Sequence, residues 1–276
     1  MADDRQVGLE KDEGAPIRVW DTHAHLVDDG FRSDLPEVVE RARSEGVEGI
    51  VVVGYTVETS VRAYEIAVRY GLRATAGLHP NYLNEADTRQ WGRIVELLER
   101  RECVAVGETG MDGYRKEVPM DVQRAWFLRH IELAAKLELP VVVHSRDAGG
   151  EVIDCLEEGF ERFGRCKVVM HAFGEDESVL RRALELGAYI SFAGNITYRN
   201  RKFDRLRGLV ACVPTDRLLV ETDSPFLAPE PHRRKRNEPA FVRFVLQRAA
   251  ELRGESERTL GECVCRNAAA VFGRCP

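Results

Sequence analysis

The chain has 276 residues and a formal net charge of −6 at pH 7. A chain of this length can bury the core of one large α/β domain without disulfide support, and its seven cysteines show no paired spacing. The acidic balance excludes a protein covered in positive potential, so any contact with nucleic acid must be local.

The first sixteen residues are polar and rich in charge. They contain neither the apolar core of a signal peptide nor an apolar run long enough to span a bilayer. We therefore expect residues 1–16 to be a loosely ordered extension and residues 17–276 to form a single domain. We expect a cytoplasmic protein with no membrane partner and no stable protein partner.

Eight short β-rich segments alternate with segments that have apolar residues at helical spacing. The predicted strands are Ile17–Trp20, Gly49–Val53, Arg73–Gly77, Cys103–Val106, Pro140–Val143, Lys167–Met170, Ala188–Ser191 and Arg217–Val220. The predicted helices between them include Val57–Tyr70, Val118–Leu139, Glu175–Leu186 and Pro239–Leu252. Eight repeats of strand and helix predict a (β/α)₈ barrel, or TIM barrel. An open doubly wound sheet is the alternative, which the count of eight disfavours.

The first predicted strand closes with a His-X-His pair, His23 and His25. Strand side chains alternate between faces, so both imidazoles point the same way and can reach one ion. The pair alone is a weak indication of a metal site. It gains weight because other ligand-type residues follow other predicted strands.

Ligand-type residues stand at the carboxyl ends of five more predicted strands. They are His79, Glu108, His144, His171 and Asp223, after strands three, four, five, six and eight. In a parallel barrel these ends converge on one rim, where barrel enzymes place their active sites. Isolated histidines satisfied by backbone hydrogen bonds would instead be spread over both rims and the helices. His130, inside a predicted helix, fits that alternative.

Four imidazoles and two carboxylates suffice to bind two ions. We assign His23, His25, Glu108 and Asp223 to one ion, and Glu108, His144 and His171 to the other, with Glu108 bridging. Two ions roughly 3.5–4 Å apart can acidify a shared water and clamp a phosphoryl group, which predicts hydrolysis. Asp223 could also accept the proton of the water. Nitrogen-rich ligation favours Zn²⁺, Mn²⁺ or Fe²⁺, although Mg²⁺ at the more oxygen-rich position stays open.

Two segments rich in basic residues follow strands seven and eight. Residues 198–207 include Arg199, and residues 232–237 include Arg233, Lys235, Arg236 and Asn237. Loops at these positions commonly hold phosphate in barrel enzymes, and arginine matches phosphate oxygens in pairs. We therefore expect a phosphate ester or polyanion as substrate, with merely solvated loops as the alternative. Tyr198 and Phe203 could stack on bases or simply pack into the core.

Six motifs follow one another along the chain: Asp21–Leu26, Gly77–Pro80, Gly107–Asp112, Val143–Ala148, Glu221–Pro225 and Arg236–Pro239. Together they resemble the TatD family of metal-dependent deoxyribonucleases, among the amidohydrolase-type barrels, and the resemblance covers residues 17–273. It implies two divalent metal ions and 3′-to-5′ exonuclease activity on DNA, with single strands or 3′ ends favoured. By motif, the six residues assigned above would be ligands, Asp223 and Glu108 would also be catalytic, and His79 would contact the scissile phosphate. We place Arg146 and the residues named in the basic segments among the substrate-binding residues.

The chain departs from the family pattern at several positions. Ala172–Glu175 stands where Cys-Phe-Ser-Gly is common, which adds the carboxylate of Glu175 near a site meant for polyanions. Arg234 replaces a glycine in the second basic segment. Further differences occur within the fourth-strand motif and just after it, at Thr109, Met111 and Gly113. No presumed ligand is affected, so these departures bear on substrate preference more than on the chemistry.

Three other functions stay open. A related barrel hydrolase could act on a lactone, an amide or a small phosphate ester, but many of those bridge their metals with a carboxylated lysine where this chain has Glu108. Ester hydrolysis on aminoacyl-tRNA fits the basic segments equally well. A polyanion-binding module with structural metals is disfavoured, because structural zinc sites are usually closed four-ligand cages.

Overall fold

The computed structural model describes residues 17–85 and 88–273, so the extension expected at residues 1–16 lies outside the described residues. Eight parallel strands form one sheet, in which each strand pairs with the next along the chain. They are β1 (Val19–Ala24), β2 (Val47–Val52), β3 (Arg73–Ala76), β4 (Cys103–Asp112), β5 (Val141–Arg146), β6 (Val168–Met170), β7 (Tyr189–Phe192) and β8 (Leu218–Val220). A bridge between Ala24 and Ser224 brings the chain after β8 back to β1. The predicted TIM barrel is confirmed.

At least one helix follows each strand. In the described residues the helices are α1 (Leu35–Ser44), α2 (Val57–Tyr70), α3 (Thr88–Leu98), α4 (Met120–Leu137), α5 (Gly149–Phe163), α6 (Glu177–Glu185), α7 (Asp204–Cys212), α8 (Val242–Arg253) and α9 (Glu257–Phe272). Short 3₁₀ segments span Asp29–Phe31, Pro80–Glu85, Gly194–Thr197, Arg201–Phe203, Thr215–Arg217 and Pro239–Phe241. Within the described residues, no helix combines the length and the apolar character that a membrane crossing requires.

Local sequence sets the ends of α2, which agrees residue for residue with the predicted helix. At its start, the hydroxyl of Thr56 accepts a hydrogen bond from the amide of Thr59, whose hydroxyl in turn accepts one from the amide of Thr56. At its end, Gly71 adopts a left-handed conformation with φ 67°, which glycine tolerates without strain. These caps fix where the chain enters and leaves the helix between β2 and β3.

A hydrophobic cluster fills the interior of the barrel. Val51, Val142, Val169 and Leu219 come from four different strands and pack together with Phe272 of α9. Side chains two apart on a strand share a face. The residues two positions beyond Val142 and Val169 are His144 and His171, so the interior face that is apolar along the strands becomes polar at their carboxyl ends.

Three strands continue past the apolar runs that predict them and include ligand-type residues. β4 continues to Asp112 and β5 to Arg146, so Glu108 and His144 lie inside strands and not after them. His23 likewise lies inside β1. Pairing persists from Gly110 opposite His144 to Asp112 opposite Arg146 because ladder hydrogen bonds join backbone atoms and do not require apolar side chains.

Candidate metal centre

The barrel brings all six predicted ligands together at the carboxyl ends of its strands. They are His23 and His25 from β1 and the residue after it, Glu108 from β4, His144 from β5, His171 directly after β6, and Asp223 three residues after β8. Most of them are buried, and His144 and Asp223 are partly accessible. The cluster lies at the bottom of a cavity of about 630 Å³ that opens to solvent.

One set of donor atoms is formed by His23, His25, Glu108 and Asp223. The Nε2 atoms of His23 and His25 are 3.2 Å apart. Oε2 of Glu108 lies 3.5 and 3.6 Å from these two nitrogens, and Oδ1 of Asp223 lies 3.8 and 3.4 Å from them. Donors held at about 2.1 Å from a tetrahedral ion are roughly 3.4 Å from one another. The spacing therefore fits one divalent cation.

The second set of donor atoms surrounds the other oxygen of Glu108. Oε1 lies 3.1 Å from Nδ1 of His144 and 2.9 Å from Nε2 of His171, and those two nitrogens are 3.3 Å apart. Nε2 of His79 lies 3.4 Å from the same oxygen. Each oxygen of Glu108 thus faces its own group of imidazoles, as expected of a bridging ligand. The assignment of ligands to two ions remains a prediction, and the geometry supports it.

The donor chemistry also fits cations. The two Nε2 atoms of His23 and His25 face each other between carboxylates, and at most one of them could donate an N–H to the other. A cation between them would use both lone pairs at once. Imidazole nitrogen combined with carboxylate oxygen is a donor set that Zn²⁺, Mn²⁺ and Fe²⁺ accept readily.

Burial and mutual charge set the protonation of the cluster. Burial lowers the pKa of His79 to about 3 and also lowers the pKa of His23, which keeps both rings neutral. Burial alone would raise the pKa of Glu108, but His171 and the other histidines outweigh it and hold that pKa well below its ordinary value. For His171, burial is outweighed by Glu108 and Glu221, so its pKa is raised well above the ordinary value.

Two carboxylates that the sequence interpretation did not single out hold the histidines in place. Oδ2 of Asp112 lies 3.2 Å from Nε2 of His144, and Oδ1 accepts hydrogen bonds from the amides of Tyr114 and Arg115. Oε1 of Glu221 lies 3.3 Å from Nδ1 of His171. Such partners orient ligating imidazoles. Strand alternation could have identified Asp112, because it stands four residues after Glu108 and so shares its face.

Asp21 is a third missed carboxylate, and it is fully buried. It accepts hydrogen bonds from the amide and the hydroxyl of Thr222, at 2.8 and 2.6 Å, and one from the amide of His23 at 3.3 Å. Burial raises the pKa of Asp21 to about 8. Its hydrogen bonds connect β1 to the segment after β8, beside the first set of donor atoms. The position of Asp21, two residues before His23, was the available indication.

Two of the predicted substrate-binding residues line the metal cavity. His79 is buried, and its Nδ1 accepts a hydrogen bond from the amide of Asn81 at 3.1 Å, which leaves the ring proton on Nε2, toward Glu108. Arg146 is exposed at the end of β5, with its guanidinium 3.7 Å above the ring of Tyr114. Both can reach a molecule in the cavity.

The other predicted substrate-binding residues do not line the described walls of this cavity. Arg199 lines a separate cavity of about 520 Å³. Arg233 donates to Oδ1 of Asn200 and lies over the ring of Tyr198. Lys235 is exposed. That these three residues bind substrate stays a prediction.

The last two of these residues hold the loop after β8 in place. Arg236 forms a two-pronged pair with Asp34, at 2.8 and 2.6 Å. Asn237 is fully buried, and its amide donates to the carbonyls of Thr222 and Phe226. Their observed contacts are internal, and direct substrate contact by either stays a prediction. For the two aromatic residues, Tyr198 packs against Phe203 with ring centroids 5.2 Å apart, and Phe203 also lines the metal cavity.

The chain is similar to known proteins over nearly its whole length. Residues 20–273 match the family model described as TatD related DNase. YabD of Bacillus subtilis, named as a metal-dependent hydrolase, is 39% identical over 256 residues, which cover 92% of this chain and 98% of YabD. A protein of Escherichia fergusonii named 3′-5′ ssDNA/RNA exonuclease TatD is 33% identical over 266 residues, 92% of this chain and 99% of the relative.

Solved structures agree with these sequence similarities. The crystal structure of YJJV, a TatD homolog from Escherichia coli K12, superposes with a TM-score of 0.87 at 29% identity, covering 94% of this chain and 99% of that one. A phosphotriesterase homology protein from Escherichia coli, at 13% identity and a TM-score of 0.63, shares the fold. The extent of the family match and the identity to these relatives show that the chain belongs to the TatD related DNase family.

Proposed function

We propose that this protein is a two-cation phosphodiesterase that shortens single-stranded DNA from its 3′ end. The observation that carries the proposal concerns the carboxylate of Glu108. Its two oxygens face two separate sets of donor atoms at the bottom of one open cavity. The relative from Escherichia fergusonii, named as a 3′-5′ exonuclease on single strands, supports the choice of substrate and polarity.

His23, His25, Glu108, His144, His171 and Asp223 would hold the cations. When bound, such cations acidify water and withdraw charge from a phosphodiester, which is the chemistry that hydrolysis needs. These ligands come from both ends of the chain, and the closed barrel brings them together.

His79 would bind the phosphate as a neutral donor. Its Nδ1 accepts the amide hydrogen of Asn81, so the ring carries its proton on Nε2, the atom that faces the cluster. A phosphate oxygen in the cavity could accept that hydrogen bond. Because burial lowers the pKa of His79 to about 3, the ring keeps this form throughout the neutral range.

Asp223 would accept a proton from the attacking water. Burial alone would raise its pKa, but hydrogen bonding and charge from His25 outweigh burial and lower it, so the carboxylate is ionised. It is also one of the more accessible members of the cluster, with a side chain 13% exposed. An ionised carboxylate facing the cavity is suited to general-base work.

The test is digestion of a 5′-labelled single-stranded oligonucleotide, with the metal content of the same sample measured. We expect a ladder of shortened products in Mn²⁺ or Mg²⁺, none in chelator, and recovery when cation is added back. An oligonucleotide with phosphorothioate links at its 3′ end is the matched control and should resist digestion. If no oligonucleotide is shortened with any cation while a lactone or an aminoacyl ester is cleaved, the assigned substrate is wrong.

A further inference from the structure

Exposed aromatic rings are concentrated at the mouth of the metal cavity. Among the described residues, four large hydrophobic side chains are more than half exposed. Two of them, Tyr82 at 51% and Phe226 at 56%, line the cavity, and Tyr114 at 59% contacts the cavity residue Arg146. The fourth is Val68, on α2. Exposed apolar surface gathered at one opening indicates a binding surface.

The rings form a continuous arc around one side of the opening. Phe226 lies 5.9 Å from His25 between ring centroids, and His25 lies 5.4 Å from Tyr55. Tyr55 lies 5.3 Å from Tyr82, which in turn lies 5.9 Å from His79. Phe226 therefore stands at one end of the arc and Tyr82 near the other, and each contacts a histidine of the site.

The backbone of the site holds both exposed rings in position. The amide of Phe226 donates to the carbonyl of Asp223, and the carbonyl of Phe226 accepts from the buried side chain of Asn237. The amide of Tyr82 donates to the carbonyl of His79. Each ring is thus attached to a segment that also carries a residue of the proposed catalytic site.

An unpaired nucleobase matches such rings. Stacking between bases and aromatic side chains is favourable for every base, because each base has a π face. In a duplex both faces of an internal base are already stacked, so only an unpaired base can present a face to a protein ring. Phe226 packs beside His25, and Tyr82 packs beside His79. Both rings are therefore within reach of a base whose phosphate lies at the metal centre.

We propose that Phe226 and Tyr82 stack on the nucleobases that flank the scissile phosphate, and that this contact selects unpaired nucleotides. The inference rests on the proposed nuclease function and identifies the part of the substrate that these residues recognise. Tyr114, covered on one face by Arg146, offers a further ring to the next base.

A fluorescence experiment without cations tests the contact directly. An oligonucleotide carries 2-aminopurine at its last or next-to-last 3′ position, and its emission falls when that base stacks on a ring. In chelator, the wild type should quench the emission, and Phe226→Leu and Tyr82→Leu should quench it less. Val68→Leu, an equally exposed site on α2, should quench it like the wild type. Equal quenching by the Leu variants and the wild type would overturn the proposal.

A double-mutant cycle then combines removal of each ring from the protein with removal of each base from the substrate. Removing the base beside the scissile bond with an abasic residue should lower kcat/KM of the wild type about 5- to 150-fold. Phe226→Leu or Tyr82→Leu should lower kcat/KM on the intact strand by a similar factor. For the variant that lacks the stacking ring, kcat/KM on the abasic strand should then be little lower than on the intact strand. Independent, multiplying losses would contradict the contact. If the wild type cleaves no oligonucleotide, the proposed function fails, whereas equal cleavage of intact and abasic strands refutes only this inference.

Discussion

The metal centre and the two basic segments both gather charged side chains at one end of the barrel, yet the charges have different partners. In the centre, the imidazoles and carboxylates face one another, and their remaining contacts come from orienting groups such as Asp112 and Glu221. The lone pairs of their ligand atoms point into a common space. The cluster is therefore arranged to bind a charge from outside the protein.

In the basic segments, some of the cationic side chains already have partners within the protein. Arg236 is held by Asp34, Arg207 pairs with Asp204, and Arg233 lies over Tyr198. The comparison teaches that the positions of strand ends predict which ligands meet, whereas the number of cations in a loop does not predict how many of them are available to a substrate.

The largest effect is expected from Glu108→Gln. An amide cannot supply negative charge to both donor sets, and its NH₂ would point a donor at imidazole nitrogens. We expect kcat/KM to fall about 10³-fold or more, with loss of bound metal, as measured by oligonucleotide digestion and elemental analysis. Glu40→Gln, on the exposed face of α1, should change neither. Full metal content together with normal turnover in Glu108→Gln would show that the two sets do not share this residue.

A smaller loss is expected from Asp112→Asn, which weakens the hold on His144 and keeps the shape of the side chain. Removing such an orienting carboxylate typically lowers metal affinity about 10- to 100-fold. A metal titration followed by activity should show a higher half-saturation concentration and near-complete recovery at excess metal. Asp216→Asn, which removes an exposed carboxylate paired with Arg217, is the control. An unchanged titration curve would mean that Asp112 does not orient His144.

His130 extends the comparison to a histidine outside the cluster. Its Nε2 accepts from the amide of Leu78 at 3.0 Å, and its Nδ1 contacts the carbonyl of Trp126 at 2.7 Å, so the predicted structural role is confirmed. His130→Leu leaves the buried amide of Leu78 unpaired. We expect the free energy of unfolding in urea to fall by about 1–3 kcal/mol. His130→Gln can still accept at this amide and should lose less, and equal losses would contradict that explanation.

The smallest effects separate paired from unpaired cations. Lys235→Ala should weaken binding of a single-stranded oligonucleotide a few-fold and reduce the salt slope by about 0.7, because the exposed ammonium is available to a phosphate. Arg236→Ala should leave the salt slope unchanged and lower the free energy of unfolding by less than about 1 kcal/mol, because Asp34 already holds this partly exposed guanidinium. Anisotropy titrations at several salt concentrations measure both. Equal slope changes would show that pairing does not withhold Arg236 from nucleic acid.

The barrel and the convergence of its ligands could be predicted from sequence, because both follow from the periodicity of apolar residues and from the order of the strands along the chain. Apolar runs mark the strands, and the parallel arrangement then brings residues as distant as His23 and Asp223 to one rim. Strand ends were harder, since β4 and β5 continue through polar residues once their backbones are paired. Loop partners were not predictable, because the pairing of Arg236 with Asp34 joins residues about 200 positions apart.

The hydrogen bonds between β1 and the segment after β8 give the metal centre a role in the integrity of the whole fold. The amide of Asp223 donates to the carbonyl of His23, and the amide of His25 donates to the carbonyl of Ser224. A cation shared by His23, His25 and Asp223 would add a cross-link at the seam where the ring of strands closes. Stripping it with chelator should therefore speed amide hydrogen exchange at His25 and Asp223 together, while the distant amides of α4 exchange as before.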